Sequence, residues 1–139
     1  VTLGDVLLTP TRIYARDVLE LRSTLGSRGL RLSGLAHITG GGLPGNLPRA
    51  VGTHLGIRLR PVSWPVPAIF HVVASLAGLS GSELRATFNA GIGMAAMVEP
   101  AALGPALGWL AERGLRAWQI GEVQSAAALG PKRYAEEAA

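Results

Sequence analysis

Cysteine is absent from this chain of 139 residues. That excludes a disulfide framework, a thiolate nucleophile and any Cys-based metal site. It is compatible with the cytoplasm, which is the expected location. Aromatic residues are scarce, at 5%, and no basic run is interleaved with them, so the signature of a nucleic-acid binder is missing. The nine Asp and Glu residues are isolated along the sequence. No cluster of them offers the oxygen ligands that Mg²⁺ requires, and no metal site is expected in this chain. Long apolar runs are missing too. The longest candidate, Val66 to Leu79, is interrupted by Pro67, His71 and Ser75. It falls short of the ~18 residues of a membrane span. The first residues lack the basic and apolar regions of a signal peptide. No glycine-rich run is followed by Lys-Ser or Lys-Thr, so there is no Walker-type phosphate loop. No Ser-His-Asp arrangement stands out.

What is present points to one folded domain over residues 1–139. Apolar residues make up 48% of the chain, too many for a disordered one, and the length suffices for a real core. The net charge is +4. A basic balance favours anionic partners. Because the arginines are scattered, a small phosphorylated ligand fits better than a nucleic acid. The competing reading is a solvated, Arg-rich surface.

Pro10 predicts extended chain up to and through it. Tyr14, Val18, Leu21 and Leu25 form one stripe of a helix ended by Gly26 and Gly29. Leu30 to Thr39 reads as a strand, Asn46 to Val51 as a short helix, and Leu55 to Leu59 as a half-buried strand. Pro61 to Pro67 is a turn around Trp64. Ile69 to Leu76 is apolar on all sides, predicting a helix buried all round. Ser80-Gly81-Ser82-Glu83 is a capping box opening a helix that runs through Leu84 and Phe88, with Phe88 in the core. Ile92 to Val98 is a strand. Leu103, Ala106, Leu107 and Leu110 form a helical stripe, with Pro105 near its first turn and Gly114 just past its end. Leu115 to Val123 is a last strand, and residues 124–139 either fray or add a terminal element. Four strands intermixed with five helices predict an α/β (α+β) fold, a sheet with helices packed against it.

The most informative stretch is His37-Ile38-Thr39-Gly40-Gly41-Gly42-Leu43-Pro44-Gly45-Asn46-Leu47-Pro48-Arg49. His37 and Thr39 share one face of a strand. They lead into Gly40, Gly41 and Gly42, where the backbone can turn and let a ligand approach. Amides there suit an anion such as phosphate. His37 can bond a substrate oxygen or move a proton, or it can merely order the loop. Thr39 either bonds a ligand or caps the turn. Asn46 suits an N-cap, and Arg49 either pairs with phosphate in bidentate fashion or stays on the surface. Thr11 and Arg12 put a hydroxyl beside a guanidinium in extended chain. Thr87 and Asn89 precede Gly91 and Gly93, where either a ligand or only a bulge approaches the backbone. Asn89 either holds a turn at positive φ or reaches the ligand. His54 has no partner motif, and His71 reads as a core or interface histidine. Glu83 caps a helix, while Glu112, Glu136 and Glu137 look solvated.

The His37–Arg49 segment resembles one family closely, the phosphoribosylformylglycinamidine cyclo-ligases, or aminoimidazole ribonucleotide synthetases, of purine biosynthesis. Leu8-Thr9-Pro10-Thr11-Arg12-Ile13-Tyr14 looks like the run that opens the family's C-terminal domain. Arg85-Ala86-Thr87-Phe88-Asn89-Ala90-Gly91-Ile92-Gly93-Met94 looks like its Thr-Phe-Asn-x-Gly-x-Gly run. The resemblance covers about residues 5–123 and leaves 124–139 as a divergent tail. It implies a mixed sheet covered by helices. It also implies a ligase that converts formylglycinamidine ribonucleotide and ATP to aminoimidazole ribonucleotide, ADP and phosphate. ATP and Mg²⁺ are then expected in an N-terminal domain preceding this chain, which opens with Val1, and no cofactor in the chain itself. The implied partners are the phosphoribosyl substrate, the enzyme's own N-terminal domain and, for the full enzyme, a second copy. No nucleic acid and no membrane are expected. His37 becomes the candidate for proton transfer. Thr11, Arg12, Thr39, Gly40, Gly41, Gly42, Asn46, Arg49, Thr87, Asn89, Gly91 and Gly93 become candidates for substrate binding.

Two rivals stand beside this reading. One is a sister enzyme of the same superfamily: formylglycinamidine synthetase, thiamine-phosphate kinase, selenophosphate synthetase or a hydrogenase maturation protein. The other is a non-catalytic module that binds a phosphorylated ligand or a partner protein.

Overall fold

The structure, a computed structural model, describes residues 1–138. Chain order among them is α1 (Leu3–Leu7), α2 (Ala15–Ser27), β1 (Leu32–His37), α3 (Gly42–Asn46), a 3₁₀ turn (Leu47–Ala50), β2 (Leu55–Leu59), α4 (Ala68–Ala77), α5 (Gly81–Thr87), β3 (Met94–Val98), α6 (Pro100–Glu112), β4 (Gly121–Ser125), a 3₁₀ turn (Ala126–Ala128) and β5 (Tyr134–Glu136). The α/β class is as the sequence predicts. The strands divide into two sheets rather than one. β1 and β3 form an antiparallel pair, and β2 lies at the centre of a mixed sheet ordered β4-β2-β5.

The main core fills the space between these sheets. Ala36, Ala95 and Met97 enter it from the first sheet, Ile57 and Leu59 from the second, and Leu43, Leu47 and Trp64 from the segments between. Alternation along the strands does this, because every second side chain of a half-buried strand faces the core. Leu43 and Leu59 are fully buried, and each contributes about 2 kcal/mol by leaving water. A second cluster joins α2 to α6 through Leu21, Leu25, Ala102, Ala106 and Trp109.

Local chemistry sets several element ends. The Ser80 hydroxyl accepts from the Glu83 amide at 3.3 Å, and the Glu83 carboxylate accepts from the Ser80 amide at 2.8 Å, the expected capping box. Gly29, at φ 71, and Gly114, at φ 67, follow the ends of α2 and α6. In that conformation only glycine avoids a Cβ penalty.

The departures from expectation have identifiable causes. The chain before Pro10 is not extended throughout. Thr2 and Asp5 make a reciprocal cap that starts α1, so only the residues beside the proline escape the helix. The helix after the glycine run begins at Gly42, four residues before Asn46. α4 is not buried: none of its residues is fully covered, and Leu76 is 84% exposed. Its all-round apolar composition gave no clue to which face would find a neighbour. Phe88 is likewise half out of the core, its ring tilted against Phe70 at 6.1 Å. In α6 the deepest residues are Ala102, Ala106 and Trp109. That face is rotated from the expected leucine stripe because small alanines let Leu21 and Leu25 of α2 approach closely. Pro105 lies inside α6, and Pro100 takes the first turn instead. The last expected strand shrinks to β4. Residues 115–120 lead into it outside the strand ladder, apart from the Arg60 amide donating to the Ile120 carbonyl at 2.8 Å. The tail adds β5, parallel to β2.

Candidate functional site

The end of β1 carries His37, paired with Met94 across the first sheet. At the next residue, the Ile38 amide donates to the Gly93 carbonyl at 2.9 Å. This places Thr39 and the glycine loop beside the Gly91–Gly93 turn, so two of the three sequence motifs meet. The third joins them through Tyr14. Its ring meets the His37 ring edge-on at 5.9 Å, and its hydroxyl lies where a side chain on Gly93 would have to be. Gly93 therefore serves close packing of Tyr14 against this corner. Arg12, just upstream, lines the cleft at this corner, whereas Thr11 is exposed and is not part of its lining. Arg12, Tyr14, Gly91 and Gly93 line a cleft of about 800 Å³. Leu35, Met94 and Ala96 of the first sheet line it as well, together with Met97, Ile57 and Trp118.

The glycine loop is organised from behind by Asn46. This residue is buried, and its side-chain amide donates to the carbonyls of Gly42 at 2.7 Å, Gly40 at 3.2 Å and Thr39 at 3.4 Å. It occupies the N-cap position of the 3₁₀ turn Leu47–Ala50, as expected, but its side chain makes no capping bond there; Gly41, at φ 89, is the N-cap of α3. A trans peptide points its C=O and N–H in opposite directions. With the Thr39 and Gly40 carbonyls turned inward, the amides of Gly40 and Gly41 face outward, toward solvent. His37, Thr39, Gly40 and Gly41 are all exposed. Successive outward amides on a turn are the kind of backbone from which anion-binding concavities are built.

The structure places the other candidates unevenly. Arg49 is exposed on the 3₁₀ turn after α3 and makes no ion pair among the described residues. Arg12 is engaged by Asp17 at 3.2 Å on an exposed surface, a pair weak enough to exchange for a ligand. The Thr87 hydroxyl donates to the Glu83 carbonyl at 2.9 Å and closes the last turn of α5. Asn89 does not hold the positive-φ position, which falls to Ala90 (φ 50) and Gly91 (φ 91). Its Oδ1 instead accepts from the Gly91 amide at 2.9 Å, shaping the turn. His71 lies exposed on α4 rather than in the core.

Sequence reading missed one constellation. Glu136, expected to be solvated, lies mostly buried against Arg85. Arg85 Nε donates to one of its oxygens at 2.9 Å, and Nη2 donates to the other. The Tyr134 hydroxyl donates to the same carboxylate at 2.7 Å. Burial by itself would raise the Glu136 carboxyl, but the bonds from Arg85 and Tyr134 outweigh it and hold it below its ordinary value. Burial and the bond to Glu136 push the Tyr134 hydroxyl well above its own. A depressed carboxyl contributes stability above its ordinary pKa and loses it as pH falls through the lowered one. The only advance signal was Arg85 itself, which stands in a motif but belongs to no helical stripe.

Two sheets with helices packed on them, and a glycine loop beside a strand-end histidine, define an α/β domain. The family described as AIR synthase related protein, C-terminal domain, matches residues 1–131, and the chain belongs to that family. The match therefore runs past Val123 into the segment read as divergent. Among its relatives is a phosphoribosylformylglycinamidine cyclo-ligase of Sorangium cellulosum, 47% identical over 124 residues, which are 89% of this chain and 35% of that protein. Another, from Cyanothece sp. PCC 7425, is 44% identical over 126 residues, 91% of this chain and 33% of that protein. A third, from Gloeothece citriformis, is 42% identical over 122 residues, 88% and 34% respectively. The chain thus spans about a third of the length of the curated relatives it matches.

Proposed function

We propose that this chain is the substrate-binding part of a cyclo-ligase that closes the imidazole ring of aminoimidazole ribonucleotide in purine biosynthesis. The support is its similarity to enzymes of that name over about 90% of its length. The structural observation that carries the site is the outward-facing Gly40–Gly41 amide pair beside His37 and Thr39. In this reading the two amides, the Thr39 hydroxyl and Arg49 hold the phosphate of the phosphoribosyl group, supplying fixed dipoles and one guanidinium. Thr11 and Arg12 close over the substrate from the cleft side, with Arg12 leaving Asp17 as the ligand arrives. The Gly91–Gly93 turn, shaped by Thr87 and Asn89, sets the depth of the cleft. His37 takes the proton that the attacking nitrogen must lose when the ring closes. Holding both ends of one substrate in this way converts ring closure into an oriented intramolecular step.

ATP supplies the phosphoryl group that makes the formyl oxygen a leaving group. Among the described residues no cluster of three or more His, Asp or Glu side chains could hold Mg²⁺. This reading assigns the nucleotide and metal to the remainder of such an enzyme, since the chain spans about a third of its relatives' length, and no step of theirs is assigned to its residues. The reading also places the enzyme in the cytoplasm as a dimer. No helix among the described residues is long and apolar enough to cross a membrane.

Substitution in the intact enzyme tests the assignment. His37→Ala is expected to lower kcat/KM about a hundredfold, and Arg49→Ala to raise KM for the phosphoribosyl substrate about tenfold. Unchanged kcat/KM in both would remove these residues from the site.

A further inference from the structure

The glycine loop has a support that reaches the far end of the chain. A side chain on Gly42 would overlap the Arg85 carbonyl and the Ala86 backbone, so α5 abuts the loop backbone directly. The same Arg85 extends its guanidinium the other way and grips Glu136 through two hydrogen bonds. Glu136 in turn is fixed in β5, where it lies opposite Leu59 of the central strand, and the next amide, that of Glu137, donates to the Leu59 carbonyl at 2.9 Å. Tyr134 braces the carboxylate from the same strand. The pair is mostly shielded, with side chains 15% and 19% exposed, so water competes weakly for its hydrogen bonds. The contacts form a line that runs Leu59–Glu136–Arg85–Gly42, with Tyr134 beside Glu136. Tyr134 and Glu136 both stand beyond residue 131, where the family match ends.

We propose that Arg85 and Glu136 are positioning residues for the glycine loop, with the C-terminal strand β5 as the anchor that holds α5 against Gly42. The proposal rests on the loop being the phosphoribosyl site, as argued above. Asn46 fixes the loop from inside, and the Arg85–Glu136 pair sets the wall it leans on. Loosening that wall frees the Gly40 and Gly41 amides to leave the geometry an anion requires. The loss should fall on binding of the phosphoribosyl substrate and spare that of ATP.

The test is amide hydrogen exchange in the intact protein with Glu136→Gln, which keeps the side-chain shape, and with Glu136→Ala. Exchange at the Gly42 and Gly45 amides, which donate to the Thr39 and Gly41 carbonyls, is expected to quicken at least about tenfold in Glu136→Ala, and less in Glu136→Gln. In the same variants KM for the phosphoribosyl substrate should rise about tenfold, with KM for ATP unchanged. Unaltered loop exchange in both, even with a lowered melting temperature, would overturn the proposal and leave the pair as a staple for the tail. Should the unsubstituted enzyme fail to close the ring, the functional reading falls, while the exchange rates still decide this inference.

Discussion

Gly42→Ala is expected to destabilise the fold by about 3 kcal/mol, because the new methyl must displace backbone rather than side chain. At Gly42 a Cβ would overlap the Arg85 carbonyl and come within 2.9 Å of the Ala86 carbonyl carbon. The residue also sits at φ 58, where an L side chain adds strain. Neither contact can be relieved by rotating a side chain. The melting temperature should fall by roughly 10 °C for a chain of this size. Gly41→Ala is the control. Its φ of 89 brings similar strain, but its nearest contact is the Gly45 Cα at 3.6 Å. Calorimetric melting of the two variants separates strain from collision. A Gly42→Ala loss no larger than that of Gly41→Ala would mean that α5 does not press on the loop.

Trp64→Ala should cost about 4 kcal/mol, the usual loss for a buried aromatic. Trp64 is 5% exposed and belongs to the core between the sheets. Its indole N–H donates to the Ala90 carbonyl at 3.0 Å, which ties the proline-rich turn to the residue just before Gly91. Ala90 itself stands at φ 50, a conformation that alanine adopts only when its surroundings impose it. Trp64→Phe keeps most of the packing and gives up the hydrogen bond, so about 1 kcal/mol is expected in addition to the smaller ring's lost contacts. Denaturant unfolding measures both. Equal losses for the two variants would show that the hydrogen bond, and not the packing, holds this turn in place.

Much of this architecture was readable in advance because it rests on local rules. The Ser80–Glu83 box, the glycines after α2 and α6, and the alternation of Leu55, Ile57 and Leu59 are each written within a few residues. The three motifs were also legible as candidates, and His37, Tyr14 and Gly93 do meet. Tertiary choices were not legible. Nothing in Ala68–Ala77 says that α4 lies at the edge, since an apolar surface signals burial without naming the covering face. The sequence of α6 offers a leucine stripe and an alanine stripe, and the closeness of α2 selected the alanines. Asn46 does stand at the N-cap of the 3₁₀ turn, as its residue type suggests, but its side chain turns back to three carbonyls upstream in the loop. Glu136 passed for a solvated acid because its partner is 51 residues away along the chain. Parallel pairing of β5 with β2 is a long-range contact of the same kind, and periodicity carries no information about it.

Calorimetric titration of this chain with a phosphoribosyl substrate analogue, and separately with ATP and Mg²⁺, addresses the central claim most directly. The account predicts binding of the analogue that weakens in Thr39→Ala and Arg49→Ala, and no binding of the nucleotide. Tight binding of ATP, with none of the analogue, would contradict it.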